Sequence, residues 1–181
     1  MSPRSPAPRP AAFFDRDGVL NHDVGYIHKP ADFVWIDGAR EAIRRLNALG
    51  ALVFVVTNQA GIARGMYQEA DVLALHGWVN KELAAEGAHV DAFYFCPHHP
   101  SAGNGPYSIA CTCRKPAPGM LTRAAAEWPV DLGASFLIGD RDTDIAAAEA
   151  AGVRGFLFSG GNLNAFLSPI LGTLPWAKTA R

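Results

Sequence analysis

The run Ala11-Ala12-Phe13-Phe14-Asp15-Arg16-Asp17-Gly18 sets four uninterrupted apolar residues directly against two acids. The apolar half predicts a strand buried on both faces, the kind found in parallel sheets. Asp15 and Asp17 then fall at its carboxyl end, the edge at which open α/β sheets hold their ligands. On an extended backbone they point to the same side, and two like charges held together call for a cation or a shared proton. Taken alone, such a pair is equally a turn or an exposed helix cap.

Four further runs resemble the first: Leu52–Val56, Ala92–Phe95, Ser135–Ile138 and Gly155–Phe158. Between them lie amphipathic stretches predicted as helices over Gly38–Leu49, Glu69–Glu86, Gly119–Trp128 and Asp142–Ala151, two of them followed by Gly50 and Gly152 as C-terminal stops. This alternation predicts a doubly wound, mostly parallel five-stranded Rossmann-like α/β sheet. With 181 residues, the expectation is a flexible tail over residues 1–10 and one domain over 11–181. Cys96–Pro118 carries five prolines and is too long for an ordinary connection unless a metal orders it. After Gly160 the pattern is weak, and Pro169 and Pro175 argue against a long helix.

Two other strand ends strengthen the reading of the first. Ser135–Ile138 runs into Gly139-Asp140-Arg141-Asp142-Thr143-Asp144, and Asp140 is the candidate to share a hard divalent ion with Asp15. Asp142 is equally a first-turn helix acid, and Asp144 is open between metal surroundings and helix surface. Leu52–Val56 runs into Thr57-Asn58-Gln59-Ala60-Gly61, a hydroxyl and a set of backbone N–H groups able to cradle a phosphate. Arg114-Lys115 follows the irregular loop, where a lysine can offset the charge of a transferring phosphoryl group.

All three cysteines lie in that loop. Cys96, His98, Cys111 and Cys113 form a Cys₃His set suited to a closed, structural Zn²⁺ site, with His99 the competing imidazole. An odd cysteine count makes a poor disulfide framework and favours a reducing compartment, so the expected location is the cytoplasm. The net charge of −1, from 16 basic and 17 acidic residues, gives no footprint for nucleic acid or an anionic membrane. A small phosphorylated metabolite is the expected partner, and a monomer the expected state.

In order and spacing, Phe14-Asp15-Arg16-Asp17-Gly18-Val19, Thr57-Asn58, Lys115 and Gly139-Asp140 with Asp144 resemble the four motifs of the haloacid dehalogenase (HAD) superfamily of phosphotransferases. The resemblance covers residues 11–160. It implies a Mg²⁺-dependent phosphatase in which Asp15 attacks phosphorus and Asp17 first gives and then takes a proton. Thr57 and Lys115 complete the catalytic set, and Asp15, Asp17 and Asp140 hold the Mg²⁺.

With the zinc loop and no large inserted cap, the chain is similar to a small HAD group acting on heptose bisphosphates and on histidinol phosphate. Gly25-Tyr26-Ile27-His28, Thr57-Asn58-Gln59-Ala60-Gly61-Ile62-Ala63-Arg64-Gly65, Cys96-Pro97-His98-His99-Pro100 and Cys111-Thr112-Cys113-Arg114-Lys115-Pro116 carry that similarity. It implies removal of the 7-phosphate of D-glycero-D-manno-heptose 1,7-bisphosphate. The substrate contacts implied are Asp23, Val24, Gly25, Tyr26, Thr57, Asn58, Gln59, Ala60, Arg114, Lys115 and Arg141, with Asn21–Asp32 as the specificity loop. Histidinol phosphate or another small sugar phosphate is the alternative. From another class, a non-enzymatic zinc-binding interaction module competes, and the strand-end carboxylates, which such a module does not require, weigh against it.

Overall fold

The computed structural model describes residues 7–103 and 105–178. Each apolar run becomes a strand: β1 (Arg9–Phe14), β2 (Leu52–Asn58), β3 (Ala92–Cys96), β4 (Val130–Gly139) and β5 (Arg154–Leu157). All pair in parallel, in the order β3-β2-β1-β4-β5. The chain therefore works outward from β1 in one direction and, from β4, in the other. The reversal opens a crevice between the carboxyl ends of β1 and β4.

The period of two along each strand divides the core into two layers. Ala12, Phe14, Val53, Val55, Phe136 and Ile138 face α1 (Ala39–Ala48), α3 (Glu69–Ala85) and α6 (Leu163–Gly172). Ala11, Phe13, Leu52, Phe54, Val56 and Leu137 face α4 (Gly119–Glu127) and α5 (Asp142–Ala150). Short helical turns α2 (Ala60–Ala63) and α7 (Pro175–Lys178) and a 3₁₀ turn at Pro30–Asp32 complete the described chain.

Three boundaries depart from the sequence reading. The tail expected over residues 1–10 ends sooner, because Arg9 and Pro10 open β1. Arg9 is anchored through its own N–H to Pro129 O at 2.7 Å and through Nε and Nη2 to Gly50 O at 3.1 and 2.7 Å. Residues 1–6 lie outside the described residues. Next, β4 starts five residues before Ser135 and shifts register against β1 between Pro10 and Ala12. Ser135 Oγ accepts from Ala11 N at 2.8 Å there, standing in for a ladder carbonyl. Finally, α6 runs through Pro169. A buried stripe of Leu163, Leu167, Ile170 and Leu171 outweighs the lost hydrogen bond, and the Asn162 side chain caps the helix by accepting from Ala165 N.

Phe54 is fully buried between Phe13, Tyr94 and Trp128, with ring centroids 5.3–6.0 Å away. Phe54→Ala should cost about 3–5 kcal/mol of unfolding free energy, read as a lower urea midpoint at unchanged slope.

Candidate active site

Asp15 leaves β1 with its N–H bonded to Ile138 O at 3.0 Å, so the β1–β4 ladder itself delivers the carboxylate to the crevice. Asp15, Asp140 and Asp144 bring carboxylate oxygens within 4.8 Å of one another. Lys115 reaches into the same place, with Nζ 3.0 Å from Asp15 Oδ1, 2.5 Å from Asp144 Oδ1 and 2.8 Å from Val56 O. Two glycines make this crowding possible. A Cβ on Gly18, whose φ is +87°, would lie 2.2 Å from Asp140 Oδ2, and one on Gly139 would lie 2.2 Å from Asp144 Cβ.

Electrostatically the cluster is short of positive charge. Burial pushes Asp15 up to about 7, against the pull of Lys115 and with the push of Asp144. Burial and then Asp144 also raise Asp140. For Lys115, burial alone would lower the ammonium, but Asp15 and Asp144 more than reverse it. Asp140 Oδ1 is buried with no hydrogen-bond partner. One unpartnered oxygen in a set of three carboxylates with a single ammonium fits a hard divalent cation such as Mg²⁺.

Asp17 is placed differently from its sequence reading as a Mg²⁺ ligand. Its carboxylate stands outside the three-acid cluster because four nitrogens of three side chains hold it elsewhere. Arg16 Nη2 lies 3.0 and 2.9 Å from its two oxygens, Arg16 Nε and Asn21 Nδ2 donate to Oδ1, and Gln59 Nε2 donates to Oδ2 at 3.1 Å. Asp144, open in the sequence, supplies the third carboxylate of the cluster. It sits in the first turn of α5 and accepts from Arg141 N at 3.0 Å. Gln59 also donates to Thr57 Oγ1 at 2.8 Å and accepts from Tyr67 Oη at 2.7 Å. A hydroxyl that accepts in this way keeps its own hydrogen to give, and Thr57 lines the pocket.

Asn58, expected to touch substrate, clamps the main chain of Lys115 from both sides. Its Nδ2 donates to Lys115 O and its Oδ1 accepts from Lys115 N, each at 3.1 Å. The loop that presents Lys115 is gathered at its other end by the four expected zinc residues. The sulfurs of Cys96, Cys111 and Cys113 are 3.3–3.5 Å apart, and His98 Nδ1 is 3.4 and 3.7 Å from Cys113 and Cys96. A zinc tetrahedron with bonds of about 2.3 Å has edges of about 3.8 Å, so this donor set fits Zn²⁺ closely. His99 is not in it; its Nδ1 accepts from Ser101 N.

Asp15, Asp17, Asp144 and Lys115 border a cavity of about 460 Å³. Of the expected contacts, Asp23, Gly25, Tyr26, Thr57, Asn58, Gln59, Ala60, Arg114, Lys115 and Arg141 line it. Val24 does not, and its side chain is 75% exposed. Arg141 Nη2 meets Asp23 Oδ2 at 3.0 Å. Arg64, Tyr67 and His99 also line it, and the sequence reading had not singled them out as contacts. The one available signal was position: Arg64 closes the segment that begins at Thr57, and His99 adjoins a zinc ligand. Desolvation, Arg114 and Arg64 together hold His99 below the usual histidine range.

A carboxylate beside an ammonium, a metal-type acid cluster and a separate, well-held second aspartate at a sheet switch point are the arrangement expected of a HAD-type phosphatase. A family model for HAD-hydrolase-like proteins matches residues 112–166. The D-glycero-β-D-manno-heptose-1,7-bisphosphate 7-phosphatase of Rhodopseudomonas palustris is 48% identical over 90% of this chain and 91% of its own length. The D-glycero-α-D-manno-heptose-1,7-bisphosphate 7-phosphatase of Burkholderia mallei is 49% identical over 79% of this chain and 76% of its own. A crystal structure of the D,D-heptose 1,7-bisphosphate phosphatase of B. bronchiseptica, complexed with magnesium and phosphate, is 35% identical. It superposes with a TM-score of 0.75 over 94% of this chain and 96% of that one. The chain belongs to the family of D-glycero-D-manno-heptose-1,7-bisphosphate 7-phosphatases.

Two outcomes test this geometry. Because Asp15 and Asp140 are raised in the fold, charging them costs stability as pH rises from about 4 to about 7, and a bound cation offsets that cost. Burial and Arg16 lower His76 to about 3, which contributes the opposite slope, but equally with and without metal. The rise in melting temperature on adding Mg²⁺ should therefore grow between pH 5 and pH 7.5, and a rise independent of pH would contradict the cluster. Asn58→Ala should lower kcat about tenfold or more, since it frees the main chain of Lys115.

Proposed function

We propose that this chain removes the 7-phosphate of D-glycero-D-manno-heptose 1,7-bisphosphate, with residues 11–181 acting as one catalytic domain, as a monomer in the cytoplasm. The observation that carries the reading is Lys115 bridging Asp15 and Asp144 on the floor of a pocket that Thr57 also lines. Among the described residues, no helix is long and apolar enough to cross a membrane.

Asp15 attacks phosphorus in line, the bond from phosphorus to the sugar oxygen breaks, and Asp17 gives its proton to that oxygen. A water then attacks the aspartyl-phosphate, Asp17 takes the water's proton, and phosphate leaves with Asp15 regenerated. Lys115 offsets the charge of the phosphoryl oxygens from beside Asp15, and Thr57 gives its hydrogen to one of them. The carboxylates of Asp15, Asp140 and Asp144 would hold Mg²⁺, which would supply charge neutralisation during the transfer. Zn²⁺, held by Cys96, His98, Cys111 and Cys113, supplies fixed geometry to the loop bearing Arg114 and Lys115.

Two arginines favour a bisphosphate. Arg64 and Arg114 line the pocket and, unlike Lys115 and Arg141, form no ion pair among the described residues, so both are available to a second phosphate. Histidinol phosphate would bring an ammonium to this wall, and Asp23 at the mouth is already paired with Arg141.

Phosphate release with Mg²⁺ should be measured on both anomers of the heptose bisphosphate, histidinol phosphate and fructose 1,6-bisphosphate. The expected result is at least about a hundredfold preference in kcat/KM for a heptose anomer, roughly 2.7 kcal/mol of discrimination, with Asp15→Asn inactive. Weak turnover of every substrate alike would overturn the substrate assignment. Full turnover by Asp15→Asn would overturn the mechanism.

A further inference from the structure

Arg16 is 0% exposed, and neighbouring residues of an extended chain normally point apart. Yet its guanidinium curls back to grip Asp17, so something beyond local geometry must hold it. One edge meets Asp17, and Nη2 also donates to Ile27 O at 2.7 Å. The remaining nitrogen, Nη1, lies 3.4 Å from Nε2 of His76, brought in from α3 sixty residues away. His76 is itself fixed, stacked on Phe93 at 4.5 Å with Phe95 edge-on at 6.1 Å.

A guanidinium can only donate, so His76 Nε2 must accept and the ring proton sits on Nδ1. Nδ1 is buried with no hydrogen-bond partner. A phenylalanine would fill this aromatic shelf without that unmet donor, so the imidazole is of use to the molecule only through the lone pair it offers Arg16. Its low pKa keeps that lone pair available across the physiological range.

We propose that His76 is a positioning residue: it fixes the plane of the Arg16 guanidinium, and through it the carboxylate of Asp17, in the orientation that delivers a proton to the leaving oxygen. The inference rests on the role of Asp17 proposed above. Its consequence is selective. An alkoxide leaving group needs the proton as its bond to phosphorus breaks, whereas p-nitrophenolate leaves well without one.

The test compares kcat/KM, which covers the steps up to phosphoryl transfer, for the heptose bisphosphate and for p-nitrophenyl phosphate with Mg²⁺. His76→Phe keeps the stacking and removes the acceptor, and should depress the sugar reaction at least about tenfold more than the aryl one. His76→Gln restores an acceptor at the position of Nε2 and should bring the ratio back toward the parent value. If His76→Phe does not fold, Phe93→Leu, which loosens the shelf beneath the ring, should shift the ratio the same way by less. Equal losses on both substrates, or none, would overturn the inference. A parent enzyme that hydrolyses aryl but no alkyl phosphate would instead overturn the role given to Asp17.

Discussion

Three carboxylates around one buried ammonium form the constraint from which the rest of this molecule follows. Like charges repel most strongly where water is excluded, and Asp15, Asp140 and Asp144 meet in such a place. Each is brought there by backbone rather than by its own side chain: one by the end of β1, one by the end of β4, one by the first turn of α5. The glycines at 18 and 139 exist to let them approach. Lys115 must arrive from a loop with little regular structure. The Asn58 clamp and the Cys₃His cluster answer that requirement from its two sides.

Strand existence, strand ends and the acids upon them were legible because they depend on short-range pattern. Phe13-Phe14-Asp15 can hardly be read except as a buried strand delivering a carboxylate. The zinc ligands were legible for the same reason, since chelation by close neighbours leaves a spacing in the chain. What stayed hidden depends on packing across the sheet. Asp144 could not be placed until α5 was seen to begin directly against Gly139. Asn58 reads as a phosphate-facing residue until the loop from β3 is folded over it. The partnership of Arg16 with His76 has no trace in the sequence, since α3 meets β1 only through the finished core.

The departures at the chain's two ends share one cause. Arg9 and Pro10 look like tail, and Pro169 looks like a breaker, because composition measures local preference. Each is overridden by contacts made far away: Gly50 and Pro129 for Arg9, and the layer beneath Phe158 for α6. Local preference is a weak prior against a buried apolar stripe.

The place of β1 between β2 and β4 bears on how the molecule is made. As the chain emerges, β1 can pair with β2 early, but its other edge waits for β4, with Ala11 and Ser135 separated by 124 positions. Such distant pairing is slow to nucleate, and an open edge on a strand carrying Ala11-Ala12-Phe13-Phe14 invites wrong partners meanwhile. Asp15 at the end of that strand remains hydrated and unopposed until Lys115 and Asp144 have both been synthesised. A ribosome-bound N-terminal half thus holds Asp15, Asp17 and Thr57 without Lys115, Asp140 and Asp144, and the site is completed only in the final stage of folding.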